Sequence, residues 1–238
     1  MSDLRIIHTS DFHDCLTLAK AARLRALKEE HDALLIDTGD AIRAANVTVL
    51  PWRERAISLM NDAGYDAMGL GNREYFFRGW GMRWKTGHAC FPRLVTNLDG
   101  GTGGLSHIVL KVADLRVGLL GLMPTMVAPG HWFEKLSDNR FRPWQDAVAE
   151  AVSALRDECD TIVALFHRPN AEIGELCTRL PETALILAGH DHVLRPTLDP
   201  ASSGRLVSCV GEGATHARVI GLRFPDRSVT MDRLVDLG

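Results

Sequence analysis

The sequence LRIIHTSDFH at residues 4–13 joins a short apolar run to two potential metal ligands, Asp11 and His13. The consecutive branched and apolar residues at 4–8 predict a buried strand. Polar residues directly after such a strand lie at its carboxyl end, which is where open α/β sheets bind their ligands. This stretch therefore predicts both an α/β fold and the place of a functional site.

The same arrangement recurs along the chain, because metal-capable side chains follow four more apolar runs. The runs and their following residues are 33–36 with Asp40, 66–70 with Asn72, 161–166 with His167, and 184–188 with His190 and His192. Loops at the carboxyl ends of strands can converge although their residues are far apart in sequence. We therefore expect these side chains to meet in one pocket.

The rest of the chain supplies the helices and the later strands. We predict helices over 16–30, 51–63, 143–159 and 172–180, a strand at 93–97, a hairpin of 108–112 and 115–122, and three strands within 205–235. Helices and strands alternate first, and β-rich segments follow. This order predicts helices packed outside two β-sheets that lie face to face, in a single domain spanning residues 1–238.

The seven selected residues share one kind of chemistry. Carboxylate, imidazole and amide oxygen together suit borderline divalent cations such as Mn, Fe or Zn. Seven ligands are too many for one tetrahedral ion, whereas two ions with a bridging carboxylate would use them all. Each motif alone is a weak signal, because a histidine at a strand end is commonly structural. Five motifs in this order predict a shared dinuclear metal site.

The order D-x-H, G-D, G-N, H and G-H-x-H resembles the calcineurin-like metallophosphoesterase family, and residues 8–13 are most similar to its 5′-nucleotidase branch. The resemblance implies a four-layer αββα sandwich of two mixed β-sheets flanked by helices. It also implies two divalent metal ions, which could be Mn, Fe, Zn, Co or Ni, with Mn as the first choice. The implied ligands are Asp11, His13, Asp40 and His192 for one ion, and Asp40, Asn72, His167 and His190 for the other.

One motif departs from the family pattern. The third motif is usually G-N-H-[ED], whereas residues 71–74 read Gly-Asn-Arg-Glu, and Phe76 stands where the nucleotidase branch has an aspartate that supports the histidine. The guanidinium of Arg73 does not donate a proton near neutral pH, because its pKa lies above ~12. It can hydrogen-bond a phosphate and offset developing negative charge. We therefore predict that Arg73 clamps the phosphate and stabilises the transition state.

The predicted reaction is hydrolysis of a phosphodiester or an activated phosphomonoester by a metal-bridging hydroxide, with Asp40 shared between the two ions. Three interpretations follow from the change at Arg73. The protein could be an active phosphoesterase with altered acid catalysis, or an enzyme in which His31, His88 or His131 replaces the missing acid. It could also be a catalytically impaired relative that binds metal, phosphate or a protein partner.

Residues 72–93 mix arginines with aromatic residues, which allows two interpretations. Aromatic rings could stack on a base while arginines hold phosphates. The spacing of Phe77, Trp80 and Trp84 favours instead an amphipathic helix with buried aromatic side chains.

Several polar residues near the motifs are ambiguous. His8 fits a site residue and a buried hydrogen-bonded histidine equally well. Asp14 and Asp191 adjoin predicted ligands and could orient imidazoles or be solvated acids. Glu212 and His216 lie in or next to a glycine-rich turn, which favours a structural role for both.

The composition indicates a globular protein of ordinary charge. Lys and Arg number 27 against 30 Asp and Glu, and the resulting net charge of −3 argues against nucleic-acid binding through bulk charge. The five cysteines form no C-x-x-C pair, so neither a disulfide framework nor a zinc ribbon is expected. No apolar run approaches the ~20 residues of a membrane span. No signal peptide is recognisable, so the chain is predicted to be cytoplasmic. Its substrate is predicted to be a small-molecule phosphoester.

Overall fold

A computed structural model of the chain describes residues 2–181, 185–200 and 204–238. The helices are α1 (Leu18–His31), α2 (Arg55–Ala63), α3 (Gly79–Thr86), α4 (Trp144–Leu155) and α5 (Ile173–Cys177). Short 3₁₀ helices cover Trp132–Leu136 and Asn170–Glu172. None of the helices in these ranges combines the length and the apolar character that crossing a membrane requires.

Fourteen strands run through the same described ranges. They are β1 (Ser2–Thr9), β2 (Leu34–Asp37), β3 (Ala67–Gly69), β4 (Arg93–Leu94), β5 (Leu98–Gly100), β6 (His107–Val112), β7 (Leu115–Leu122), β8 (Asn139–Phe141), β9 (Thr161–Phe166), β10 (Leu185–Ala188), β11 (Asp199–Pro200), β12 (Leu206–Cys209), β13 (His216–Phe224) and β14 (Ser228–Asp236). Ala184, where we predicted the start of the strand before His190, lies outside the described residues.

Two six-stranded sheets form the centre of the fold. The first has the order β14-β13-β1-β2-β3-β4, in which β1 to β4 run parallel and β13 and β14 pair antiparallel. The second has the order β11-β12-β10-β9-β7-β6, in which the four central strands are parallel and both edge strands antiparallel. Strands β5 and β8 form a separate antiparallel pair. Both sheets are therefore mixed.

Alternation along the buried strands sorts the apolar side chains into layers. In β1, Ile6 joins the core between the two sheets, whereas Ile7 joins the core under α1 and α2. Leu119 of β7 lies in the inter-sheet core, and Val148 of α4 packs on the outer face of the second sheet. This arrangement confirms the αββα sandwich, because successive residues of a strand point to opposite faces. The assignment of residues 1–238 to one domain stays a prediction.

Several element boundaries differ from the predicted ones. Helix α2 begins at Arg55 rather than at Pro51, because the preceding loop is tied elsewhere. The buried carboxylate of Glu54 accepts hydrogen bonds from the backbone N–H groups of Arg43 and Ala44, both at 3.1 Å. The helices predicted to end at residues 159 and 180 are also shorter, and strand β4 has only two residues.

The predicted helix with buried Phe77, Trp80 and Trp84 is wrong in two respects: α3 begins at Gly79, so Phe77 lies outside it, and neither tryptophan is buried. Trp80 and Trp84 are 53% and 50% exposed, and Phe77 is half-buried. The helix buries Met82 and Lys85 instead. Lys85 can lie inside because its ammonium group reaches three backbone carbonyl oxygens, which replace the water that a buried charge loses.

We expect the inter-sheet core to dominate stability. Replacing fully buried Leu119 with alanine should lower the free energy of unfolding by about 2–5 kcal/mol, since it removes apolar contacts and leaves a cavity. Leu18→Ala, at a position 66% exposed, is the matched control and should change stability little. Urea unfolding followed by circular dichroism measures both. Equal effects of the two substitutions would contradict this description of the core.

Candidate metal centre

Loops from both sheets meet at one end of the sandwich. The loops after β1, β2 and β3 come from the first sheet, and those after β9 and β10 come from the second. They surround a cavity of about 390 Å³. The side chains that line it are His13, Asp40, Ala45, Asn46, Asn72, Arg73, His190 and His192. Asp11 and His167 lie buried within contact distance of this group. All seven predicted ligands are thus brought together.

The Oδ1 atom of Asp11 is the central feature of the site. It is buried and has no hydrogen-bond partner among the described residues. Three imidazole Nε2 atoms face it at distances too long for hydrogen bonds: 3.5 Å for His192, 3.7 Å for His13 and 3.9 Å for His167. The Nε2 atom of His13 is also buried without a partner. This set of nitrogen and oxygen donors fits a divalent cation.

The two carboxylate oxygens of Asp40 face opposite sides of the cavity. Oδ1 lies 3.4 Å from His167 Nε2 and accepts the backbone N–H of Arg73 at 2.7 Å. Oδ2 lies 3.7 Å from His13 Nε2. Burial opposes ionisation of this carboxyl group, but the charge of His167 and the hydrogen bonds hold its pKa well below the usual range. Asp40 is therefore an anion placed between two groups of imidazoles.

Asn72, His167 and His190 form the far side of the site. The Oδ1 atom of Asn72 lies 3.3 Å from His167 Nε2 and 3.1 Å from His190 Nδ1. The other ring nitrogen of His167 contacts the carbonyl oxygen of Thr38 at 3.1 Å. Burial lowers the pKa of His167, but the nearby carboxylates of Asp40 and Asp11 outweigh it and raise the pKa to about 9.

The backbone around the site is bent into conformations that most residues avoid. Five of the seven predicted ligands have left-handed φ values: Asp11 (51°), His13 (49°), Asp40 (57°), His190 (75°) and His192 (56°). A side chain at Gly71 would collide with the Asp40 carboxylate, and one at Gly189 would collide with Ser10. Strain of this kind is typical of functional sites, where the surrounding structure compensates for its cost.

Comparison with known proteins identifies the family. The model of the calcineurin-like phosphoesterase family matches residues 4–194. The chain belongs to this family. Phosphoesterases of this family use divalent metal ions, which agrees with the convergence of histidine and carboxylate side chains described above.

Individual relatives of this phosphoesterase include a snake venom 5′-nucleotidase from Gloydius brevicauda, which is 25% identical over 84% of the chain and 39% of its own length. The chain spans about two fifths of the length of the curated relatives it matches. The fold is similar to that of the NAD nucleotidase of Haemophilus influenzae, with a TM-score of 0.81, 16% identity and coverage of 99% of this chain and 56% of that one. It is also similar to the calcineurin-like phosphoesterase YfkN of Bacillus subtilis, with a TM-score of 0.75, 18% identity and coverage of 99% and 91%.

Arg73 lies at the edge of the phosphoesterase cavity. Its Nε atom is 3.9 Å from Asp40 Oδ2, and its Nη1 atom donates a 3.5 Å hydrogen bond to the carbonyl oxygen of Arg43. About a third of the side chain (31%) is exposed. The guanidinium therefore stands beside the predicted metal ligands with donors that remain accessible to a ligand in the cavity.

None of the three histidines considered as replacement acids lines the cavity in the described part of the chain. His31 lies at the end of α1, where its carbonyl oxygen accepts a hydrogen bond from Arg5. His88 contacts the carbonyl oxygen of Glu54 at 3.0 Å, and His131 caps a 3₁₀ helix. The geometry thus gives no support to the second interpretation of the Arg73 motif.

His8 is buried and hydrogen-bonded, which is one of the two interpretations left open by the sequence. Its ring lies 2.8 Å from Ser208 Oγ and 3.3 Å from Thr38 Oγ1. Burial, together with the charge of Arg218, lowers the pKa of His8 to about 3. The ring is therefore neutral at physiological pH, and it joins the two sheets through uncharged hydrogen bonds.

Glu212 lies at the site, contrary to our prediction from the sequence. We predicted a structural role for it in a glycine-rich turn, but its carboxylate lies against the rings of His13 and His192. Glu212 follows the carboxyl end of β12, so the rule that selected the other site residues would also have selected it. Asp191, which we considered as an imidazole partner, instead accepts the backbone N–H of Asn170 at 2.7 Å.

Glu74 holds two of the site loops together from behind. Its buried carboxylate accepts backbone N–H groups of Asp40 at 2.9 Å, Ala41 at 3.0 Å and Gly71 at 2.8 Å. Glu74 is the acidic residue of the third motif. Its hydrogen bonds to both loops give this position a structural role that does not depend on a histidine at position 73.

Lys85 also links loops of the site, but through a positively charged donor instead of a carboxylate acceptor. Its Nζ atom donates to the carbonyl oxygens of Arg73 at 2.5 Å, Tyr75 at 2.7 Å and Ala45 at 3.3 Å. Arg73 and Ala45 both line the cavity, so this buried ammonium group joins two of its walls.

We predict that Lys85→Met lowers the free energy of unfolding by about 1–3 kcal/mol, because buried carbonyl oxygens lose their donor. Burial lowers the pKa of Lys85 to about 8, below the value of about 10.4 in the unfolded chain. Between these values the unfolded chain binds more protons, so the stability of the wild type relative to the variant should rise with pH.

Urea unfolding of both proteins across this pH range, in chelator, tests the prediction. Lys135→Met, at an exposed position of the 3₁₀ helix, is the matched control and should change neither stability nor its pH dependence. A stability difference that falls as the pH rises would show that the assigned direction of the pKa shift is wrong.

Proposed function

We propose that this phosphoesterase domain hydrolyses small phosphodiesters or activated phosphomonoesters with two divalent cations bound in its cavity. The observation that carries the proposal is the buried, unpartnered Oδ1 atom of Asp11, faced by the Nε2 atoms of His192 at 3.5 Å and His13 at 3.7 Å. An anionic oxygen without a donor is costly inside a protein, and a shared cation is the partner that this donor set fits.

The proposed ligands divide into two groups around Asp40. Asp11, His13, Asp40 and His192 would hold one ion, and Asp40, Asn72, His167 and His190 the other. The opposed oxygens of Asp40, near His13 on one side and His167 on the other, support its assignment as the shared ligand. Manganese is the first candidate and Fe, Zn, Co and Ni are the others. Bound ions of this kind supply Lewis acidity and lower the pKa of water to near neutrality.

The residues of the chain orient the substrate and neutralise its charge. We assign to Arg73 the binding of a phosphate oxygen, because its accessible donors lie beside Asp40 at the cavity wall. Guanidinium geometry suits phosphate, and the charge offsets what develops in the transition state. Arg73 does not protonate the leaving group, so esters with acidic alcohols, such as aryl esters, should react fastest.

A second candidate function is metal and phosphate binding without turnover. It is favoured by the absence of a histidine at position 73, and by the absence of His31, His88 and His131 from the residues that line the described cavity. The two functions share the same site and differ in catalysis. The names of the nucleotidase relatives suggest nucleotides among the substrates to be tested, but those relatives are much longer than this chain.

Turnover of bis-(p-nitrophenyl) phosphate with added Mn²⁺ tests the enzymatic proposal directly. We expect hydrolysis that is lost on chelation and falls at least about 10²-fold in Asp40→Asn, the scale of losing one electrostatic group from an active site. Asn tolerates the left-handed backbone at this position. Asp62→Asn, on the exposed side of α2, is the charge-matched control.

Full activity in Asp40→Asn would indicate a contaminating enzyme and contradict the proposed site. If the wild type binds Mn, Fe, Zn, Co or Ni but hydrolyses the ester with none of them, the binding function is favoured instead.

The role of Arg73 can be separated by comparing leaving groups. We expect Arg73→His to raise hydrolysis of alkyl phosphoesters relative to aryl ones by up to about 10²-fold, because general acid catalysis is worth that much or more. Arg43→His changes a neighbouring exposed arginine and is the control. The measurement is the ratio of kcat/KM for alkyl and aryl esters. An unchanged ratio in Arg73→His would mean that residue 73 does not act near the leaving group.

A further inference from the structure

A carboxylate outside the predicted ligand set contacts two of its histidines at once. The Oε2 atom of Glu212 lies 3.3 Å from His13 Nδ1 and 3.1 Å from His192 Nδ1. The opposite nitrogen of each ring, Nε2, faces Asp11 Oδ1 at 3.7 and 3.5 Å. The two rings therefore stand between an outer carboxylate and an inner one, and they also contact each other edge to face with centroids 4.9 Å apart.

The turn that carries Glu212 is attached to both histidine-bearing loops. The backbone N–H of Gly213 donates to the carbonyl oxygen of Asp11 at 2.8 Å, and that of Gly211 donates to Val193 at 3.0 Å. The two glycines have φ values of +71° and +76°, which non-glycine residues rarely adopt. Glu212 thus lies between two anchored residues, with one connection to each loop.

A carboxylate at Nδ1 determines which nitrogen of a neutral imidazole is free to bind a metal. A ring that keeps its proton on Nδ1, beside the carboxylate, has its Nε2 lone pair free on the opposite side, toward the cavity. One carboxylate oxygen can accept two such hydrogen bonds. The carbonyl oxygen of Thr38 orients His167 in the same way, through a 3.1 Å contact with its Nδ1 atom.

We propose that Glu212 is a positioning residue that orients His13 and His192 together, so that both present Nε2 to the same ion. This role rests on the proposed function, because it assumes that the cavity binds metal ions. Glu212 contacts the Nδ1 atoms, on the side of the two rings opposite to Asp11, so it would act through the histidines rather than as a ligand. Its loss should therefore weaken one of the two metal sites and leave the site of Asn72, His167 and His190 intact.

Exposure limits the size of the expected effect. About half of the Glu212 side chain (51%) and 39% of His192 are accessible to solvent, so water can replace part of the interaction. The negative charge of Glu212 could also strengthen cation binding by electrostatic attraction alone, without orienting the two imidazole rings. A control must therefore remove a nearby negative charge without removing an imidazole contact. Asp14 is suitable because it is adjacent to His13, and among the described residues its carboxylate does not contact the ring of His13 or His192. It has a left-handed φ of 66°, which asparagine tolerates.

The experiment measures Mn²⁺ binding to the metal-stripped full chain by calorimetry and electron paramagnetic resonance. We expect the wild type to bind two ions and Glu212→Ala to bind one of them about 10–100-fold more weakly, the usual cost of removing a residue behind a ligand. Glu212→Gln should be intermediate, because an amide oxygen still accepts hydrogen bonds but carries no charge. Asp14→Asn should bind both ions as the wild type does.

A spectroscopic readout separates orientation from charge and from folding. The visible absorption of the Co²⁺-loaded protein depends on ligand geometry, so it should change in Glu212→Ala and stay the same in Asp14→Asn. Circular dichroism of the metal-free proteins checks folding, and Glu212→Gln supplies the answer if the alanine variant is unfolded.

Two results would overturn the assignment of Glu212. One is binding of two Mn²⁺ ions by Glu212→Ala and Glu212→Gln with wild-type affinities and unchanged Co²⁺ spectra. The other is an equal loss in Asp14→Asn, which would reduce the role of Glu212 to charge. A wild type that binds no divalent ion would instead overturn the proposed function itself, together with this inference.

Discussion

Buried negative charge at one end of the sandwich is the constraint on which the rest of this structure depends. Buried carboxyl groups in the described part of this region include those of Asp11, Asp37, Asp40 and Glu74. The pKa values of Asp37 and Glu74 are raised by burial and by the neighbouring carboxylates. Ion burial without compensation costs roughly several kcal/mol per group. The fold tolerates this charge through backbone N–H donors, a protonatable His167, the ammonium of Lys85 and, as proposed, bound cations.

The two sheets make this concentration of charge possible. The parallel strands of each sheet have their carboxyl ends at the same end of the sandwich. The apolar core between the two sheets keeps these ends next to each other. Residues from the beginning of the chain, such as Asp11, thereby meet His190 and Glu212 from its end. Strained loop conformations are stable here because the sheets below them are rigid, while the cavity above them stays open to a ligand.

Much of this organisation could be predicted from the sequence, because the signals are local. An apolar run followed by Asp, Asn or His marks a strand and its carboxyl end without knowledge of the partners. Glu212 was missed because a glycine-rich turn also fits a purely structural interpretation, and the sequence does not show which loops that turn contacts. The burial of Lys85 and the exposure of Trp80 and Trp84 reverse ordinary hydrophobic patterning. The burial of Lys85 depends on three carbonyl acceptors that only the folded chain brings together.

The exposed indole of Trp84 has a consequence for how this cavity can be observed. Its Nε1 donates a 2.8 Å hydrogen bond to the carbonyl oxygen of Leu50, within the irregular segment that continues from the wall residues Ala45 and Asn46. That segment is held by side-chain contacts from Glu54, Lys85 and Trp84 rather than by strand pairing. A change in the wall around a bound ligand would therefore alter the surroundings of Trp84, so tryptophan fluorescence can report on ligands that enter the cavity.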